Sequence, residues 1–219
     1  MQYLWSARAL LCLLVRNSAN VTRTDPSPTN KPLTLAQVWT LDATYSDPIH
    51  GVTFRYPSAW RPIREFAYHP PVLEHSLAPP IAEFAHDEGG FPRDEIVGPY
   101  SSTNLEAVGI LYSTIDAASA SKCSKMATSL SGSLKHPSTV SLGGRSFLVF
   151  ETGKVGMSQS TFINLYATYS NHTCYLFETD VALADEDAVD LPGLTTSQLR
   201  YIFAHLESIM KSVKIASRR

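Results

Sequence analysis

Residues Ile49-His-Gly-Val-Thr-Phe-Arg-Tyr-Pro-Ser-Ala-Trp60 carry the alternation on which the fold reading turns. Val52, Phe54 and Tyr56 fall on one face and Thr53 and Arg55 on the other, the period-2 pattern of a half-buried strand. Pro57 ends the ladder because it brings no N–H to donate, and Trp60 closes the segment. Upstream, Asp47-Pro48 turns the chain into this strand. Leu33 to Thr44 reads equally as a short helix or a strand.

Downstream, residues 66 to 99 hold Pro70, Pro71, Pro79, Pro80, Pro92 and Pro99, broken by Gly89-Gly90. Repeated prolines block helix propagation and central strand pairing, which predicts a long surface excursion with at most short elements in it. Leu105 to Ile115 is apolar on both faces, as expected of a central strand covered on each side. Asp116 then stands ready to cap a helix in which Ala120, Cys123, Ala127, Leu130 and Leu134 recur at three- and four-residue steps. Its serines give it weak intrinsic propensity, so packing must hold it. Ser138 to Leu142 and Arg145 to Thr152 form a hairpin about Gly143-Gly144, and Gln159 to Tyr169 with Thr173 to Thr179 form a second about Ser170-Asn171-His172. Asp180 to Pro192 reads as an acidic loop. Thr195 with Gln198 makes a capping box for a helix whose buried stripe is Leu199, Ile202, Phe203, Leu206, Ile209, Met210 and Val213. Val213-Lys-Ile215 finishes as a short strand.

A length of 219 residues, with 44% hydrophobic and 17% charged, fits one well-filled domain over residues 33 to 219. At the front, residues 16 to 32 are polar and proline-rich, the composition of a flexible tether. Before them Arg8 and the run Ala9-Leu-Leu-Cys-Leu-Leu-Val15 match a degenerate export signal, too short to span a bilayer; the competing reading is an apolar N-terminal helix of a cytoplasmic protein. The formal net charge of −2 gives no ground for a nucleic-acid partner, and the basic end at Lys211, Lys214, Arg218 and Arg219 reads as a solvated helix face and tail.

The order of strand with Tyr-Pro-x-x-Trp, long loop, central strand, helix, two hairpins and amphipathic helix resembles the α/β/α sandwich of the PsbP-like proteins, over about residues 45 to 216. More closely, Thr103-Asn104-Leu105, Cys123, Gly143-Gly-Arg-Ser-Phe147 and Cys174-Tyr175 are similar to a group of uncharacterised exported bacterial proteins. The resemblance implies an α+β fold with an antiparallel sheet, an exported location and a pairing of the helix cysteine with the Cys-Tyr strand. It carries no activity. Removal of a leader with Cys12 would leave Cys123 and Cys174 as an even pair in an oxidising space; two buried free thiols are the alternative.

Motifs for catalysis are weak. Gly156-Met-Ser-Gln-Ser160 has a serine where a nucleophile elbow needs its second glycine. His69, His75 and His86 beside Asp87 and Glu88 lie where spacing sets no geometry, so scattered surface histidines are the better reading and no metal or cofactor is assigned. Asp185-Glu186-Asp187 with Asp190 lacks the alternating spacing of a calcium loop. Asn20-Val-Thr22 and Asn171-His-Thr173 match the glycosylation acceptor pattern, meaningful only in a eukaryotic secretory pathway. The residues therefore point to an exported, non-enzymatic binding or accessory protein acting on an unidentified protein or small ligand. His50, Arg55 and Trp60 are its candidate ligand contacts. The alternative is a small-molecule-binding or hydrolytic domain with its site between the proline-rich loop and the sheet, drawing on His50, Arg55 and the loop histidines His69, His75 and His86.

Overall fold

A computed structural model describes residues 33–62, 80–87, 98–132, 136–155, 159–185 and 190–216. The leader and tether, the Asn20 acceptor, His69, His75, Leu134, residues 156–158 and 186–189, and the two C-terminal arginines lie outside them. The chain runs α1 (Leu35–Trp39), β1 (Ala43–Asp47), β2 (Val52–Tyr56), β3 (Arg61–Pro62), β4 (Ala82–Asp87), β5 (Leu105–Asp116), α2 (Ala120–Ser131), β6 (Ser138–Leu142), β7 (Arg145–Val155), β8 (Gln159–Ser170), β9 (Thr173–Ala184), α3 (Thr196–Lys211) and β10 (Lys214–Ile215). It is α+β, with antiparallel sheets and an amphipathic C-terminal helix.

Seven strands form one antiparallel sheet in the order β3-β4-β5-β9-β8-β7-β6, and β1-β2-β10 form a second. One face of the large sheet presents Val108, Ile110, Tyr112, Phe147, Tyr175, Phe177 and Val181 to the small sheet and α3, where Phe54, Ile202, Leu206 and Ile209 close the main core. The opposite face presents Leu111, Phe150, Leu165, Ala167 and Leu176 to Cys123 and Ala127 of α2. Helices thus cover both faces, and β5 is buried on each side because it lies between them.

Local chemistry explains the element ends. Thr34 caps α1 and Thr195 caps α3, each through a reciprocal box with the glutamine three residues on. Ser119, not Asp116, caps α2, accepting from the Lys122 amide at 3.2 Å, and Gly132 ends it at φ 59°. A disulfide joins Cys123 of α2 to Cys174 of β9, which pins the serine-rich helix to the sheet. The β8–β9 turn places Asn171 and His172 at φ 49° and 59°, the left-handed pair that a two-residue hairpin needs.

Three expectations are amended. The turn at Asp47-Pro48 leads into β2 as expected, but a strand the sequence reading did not single out, β1, precedes the turn and pairs with β2 from Ala43↔Tyr56 to Asp47↔Val52. The proline-rich stretch contributes a full sheet strand, since β4 pairs with β5 over six residues from Ala82↔Tyr112 to Asp87↔Ala107. Pro80 is tolerated because it precedes the strand, and Pro62, upstream of the stretch, because it sits on the short outer strand β3. Third, β9 runs on through Asp180 to Ala184, so the acidic loop begins later than its composition implied.

The β6–β7 turn supplies a stability test. Gly143 has φ 57°, and a Cβ there would lie 2.4 Å from the backbone oxygen of Val213, whereas one on Gly144, at φ 79°, would meet nothing. Gly144→Ala bears only the left-handed cost, about 1–2 kcal/mol. Gly143→Ala adds a clash with backbone where α3 enters β10, for a loss of about 2–4 kcal/mol. Urea titration of the two variants should show this order; equal losses would mean that the α3 end yields freely.

Candidate functional site

The three candidate contacts fall in different settings. Trp60 is 2% exposed, its Nε1 donates to the Val38 carbonyl at 3.0 Å, and its ring meets Trp39 edge-on at 5.7 Å. Arg55 is exposed, but its guanidinium donates to the Leu41 carbonyl and its amide donates to Ser212 Oγ at 2.8 Å. Both side chains are engaged in holding α1, the small sheet and the end of α3 together.

His50 is different. Its Nδ1–H donates to Asp47 Oδ2 at 2.6 Å, with the imidazole 28% and the carboxylate 6% exposed. Asp47 is itself fixed: Oδ1 accepts the Ile49 and His50 amides at 2.9 and 3.2 Å, and Tyr112 OH donates to Oδ2 at 3.3 Å. Tyr175 OH donates to the His50 carbonyl at 3.2 Å. The Nδ1–H bond to Asp47 fixes the ring and turns Nε2 away from the carboxylate, so the pair has the form of an oriented imidazole. Burial pushes the Asp47 carboxyl up, but hydrogen bonds from the His50 ring and from the His50 and Ile49 amides, with the His50 charge, outweigh it and hold the group below its ordinary 3.8. Burial first, and then the Asp47 charge, push the Tyr112 phenol well above its usual range.

A carboxyl whose folded value is depressed stabilises the fold above its unfolded value, and that contribution fades as the pH drops through the folded value. The stability difference between the wild type and Asp47→Asn should therefore be constant at neutral pH and shrink below 3.8. Chemical denaturation from pH 7 down to about pH 2.5 checks this; a constant difference throughout would show that Asp47 does not titrate against the fold.

Beside the pair lies a cleft of about 330 Å³, lined by Tyr45, Pro62 and the run from Pro80 to Phe84. The Tyr45 ring stands 5.0 Å from Phe54 and 5.6 Å from Phe84, which sets it as a rigid wall. Tyr45 and Asp47 are two residues apart on β1 and share a face. Cleft and dyad thus meet through one strand, at the place where Pro62 of β3 and Pro80 before β4 flank Tyr45. Arg55 and Trp60 do not line the cleft.

Sequence reasoning missed two groups. Glu178 and Asp180 are both 0% exposed on β9, on the α2 face beside Leu111 and Gly109. His86 is 4% exposed on β4, which corrects its reading as a surface histidine. No motif marks their burial; the one local clue is Phe177 and Val181 on either side of the Glu178–Asp180 segment. Among the described residues no group of three or more His, Cys, Asp or Glu is arranged to hold a metal ion.

No protein-family model matches the chain. No curated protein sequence matches it either. Among solved structures, the Ran-binding protein Mog1p of Saccharomyces cerevisiae is similar at 12% identity and a TM-score of 0.45, over 80% of this chain and 95% of that one. LpqN of Mycobacterium tuberculosis, involved in cell envelope biogenesis, is similar at 12% identity and a TM-score of 0.41, over 84% and 98%. A Bacteroides thetaiotaomicron protein is similar at 10% identity and a TM-score of 0.42, over 80% of this chain; the chain spans about half of that protein, 48%. No helix among the described residues is long and apolar enough to cross a membrane.

Proposed function

We propose that this protein is an exported, non-enzymatic binding or accessory protein of the PsbP-like sandwich class, with the Tyr45–Phe84 cleft as its ligand contact. The observation that carries the reading is the cleft itself: its volume of about 330 Å³ lies at the lower end of the range of small-ligand sites, and its lining joins Tyr45, Ile81 and Phe84 to Glu83. The Cys123–Cys174 bond supports the exported location, since such bonds persist in oxidising compartments. Ile81 is 43% exposed at the cleft and open to substitution.

Two measurements test this. Titration with indole, followed by NMR of the aromatic resonances, should move Tyr45 and Phe84, and Ile81→Asp should weaken the effect about tenfold by placing a charge against an apolar ligand. Intact-mass analysis of protein from its native cell fraction, alkylated with and without reduction, should show a shortened chain whose two remaining thiols react only after reduction. The second reading, a hydrolytic domain, is favoured by the Asp47–His50 pair. Hydrolysis of p-nitrophenyl acetate that disappears in His50→Ala would replace the first reading with it.

A further inference from the structure

The outer face of the small sheet collects cations with no acid among them. Tyr45, Asp47, Val52, Phe54 and Ile215 take the inner face of β1, β2 and β10, so strand alternation turns Thr44, Ser46, Thr53, Arg55 and Lys214 outward. Thr44, Ser46, Arg55 and Lys214 are exposed and Thr53 is half-buried. Lys214, which the sequence places in a solvated basic tail, is brought to Arg55 by the pairing of β10 with β2.

Thr53 stands at the centre of this face. Ser46 lies across from it on β1 and Lys214 across from it on β10, each Cβ about 5 Å from its own. Arg55 follows two residues along β2, about 7 Å away, with Thr44 across from it. The Arg55 amide donates to Ser212 Oγ at 2.8 Å, and one guanidinium N–H donates to the Leu41 carbonyl. A guanidinium has five donors, so the bond that ties Arg55 to the framework also fixes it on this face with donors to spare. The carboxylates of neighbouring elements are committed elsewhere. Asp42 accepts from the Ser58 amide and hydroxyl at 2.7 and 2.8 Å, Glu207 pairs with Lys211 at 3.0 Å, and Asp47 faces inward to His50 and Tyr112. Arg55 and Lys214 therefore oppose one another as like charges on diagonal neighbours, and an anion over Thr53 removes that cost.

We propose that Arg55, Lys214 and the hydroxyls of Thr53 and Ser46 bind the phosphoryl group of a phosphate monoester. The match is one of charge and of donors. A monoester carries nearly two negative charges at neutral pH, equal to the two cations, whereas a sulfate ester or a phosphodiester carries one. Its three terminal oxygens accept from the guanidinium fork, the ammonium group and the hydroxyls. The outward residues of the three strands include no apolar side chain, so recognition stops at the phosphoryl group and the remainder of the ligand extends into solvent. The class of ligand is thus a phosphorylated sugar or a similar polar monoester. This site lies on the opposite face of β1 from the Tyr45 cleft and does not rest on it.

The probe is glucose 6-phosphate, titrated into the full-length 15N-labelled protein at low ionic strength and about pH 7.5, where the ester is a dianion. The expected result is amide shifts concentrated at residues 44 to 46, 53 to 55 and 212 to 215, with sulfate and dimethyl phosphate at least about tenfold weaker. Lys214→Gln, at an exposed position, should weaken binding about tenfold. Thr53→Val keeps the branched shape, removes the hydroxyl and should weaken it about threefold. Both variants should unfold in urea at the wild-type midpoint. An equal response to sulfate, wild-type affinity in Lys214→Gln, shifts confined to the Tyr45 cleft, or no shift at all would overturn the proposal. So would binding of inorganic phosphate alone, which would make the occupant the free ion, or binding of phosphatidylglycerol vesicles in place of the soluble ester, which would make this face a membrane contact.

Discussion

Trp60→Ala is expected to lower the free energy of unfolding by about 3–5 kcal/mol, the loss that follows removal of a large aromatic from a filled core. The site cannot collapse easily. Trp60 is 2% exposed, wedged against Trp39 with ring centroids 5.7 Å apart, and its backbone amide closes the turn by donating to the Pro57 carbonyl at 2.9 Å. Its Nε1 is also the partner of the Val38 carbonyl at 3.0 Å, which becomes a buried unsatisfied acceptor in the variant. Trp60→Phe separates the two contributions, since it keeps most of the apolar contact and loses the hydrogen bond, for about 1–2 kcal/mol. Urea unfolding followed by circular dichroism measures both. Should Trp60→Ala unfold like the wild type and lose only ligand binding, Trp60 would be a contact residue and its structural assignment would be wrong.

Cys123→Ala combined with Cys174→Ala should cost about 4 kcal/mol, the loop-closure value for a bond between residues 51 apart in sequence. The effect acts largely on the unfolded chain, which regains the freedom of the loop that the bond closes. A local effect joins it. The bond is the covalent tie between α2 and the sheet, and α2 buries only Cys123, Ala127 and Ser131 fully, a thin apolar contact for a helix of low propensity. Hydrogen exchange in the double variant should therefore rise first in residues 120 to 131, while β5 and β9 stay protected. Both cysteines are nearly inaccessible, at 3% and 0% exposure, so dithiothreitol should reduce the native protein far more slowly than the protein in urea. A double variant as stable as the wild type, with unchanged exchange in α2, would mean that helix packing alone holds this layer.

Elements whose pattern is local are legible in the chain of residues itself. The alternation at Val52, Phe54 and Tyr56, the two-sided apolar run of β5, the Gly143-Gly144 turn and the stripe of α3 all reflect periods of two or 3.6 residues set by backbone geometry. The Thr195–Gln198 box places the start of α3 because both partners lie within one turn. β1 escapes notice since its inward face, Ala43, Tyr45 and Asp47, holds one large apolar side chain and ends in a carboxylate, and β4 since its flanking prolines and Glu83 resemble loop. The candidate site is legible only in one member. His50 stands beside a strand end as a polar side chain, but the reason it matters, a carboxylate fixed by Tyr112, depends on a residue 65 positions from Asp47.

The sequence by itself determined most of the strands and helices from β5 onward together with β2, and that one face of each must be covered. Those choices are made by φ, ψ, hydrogen-bond donors and side-chain period within a few residues. Only the tertiary structure decided that Trp60 and Arg55 serve the framework while His50 is held as an oriented pair. It alone set Asp180 in a strand rather than on a loop and buried Glu178 beside it, left a cleft beside Tyr45, and stopped β6 short of the end of β7. Each of these depends on which surfaces meet, and that is settled by burial and pairing between residues far apart in the chain, where local period is silent.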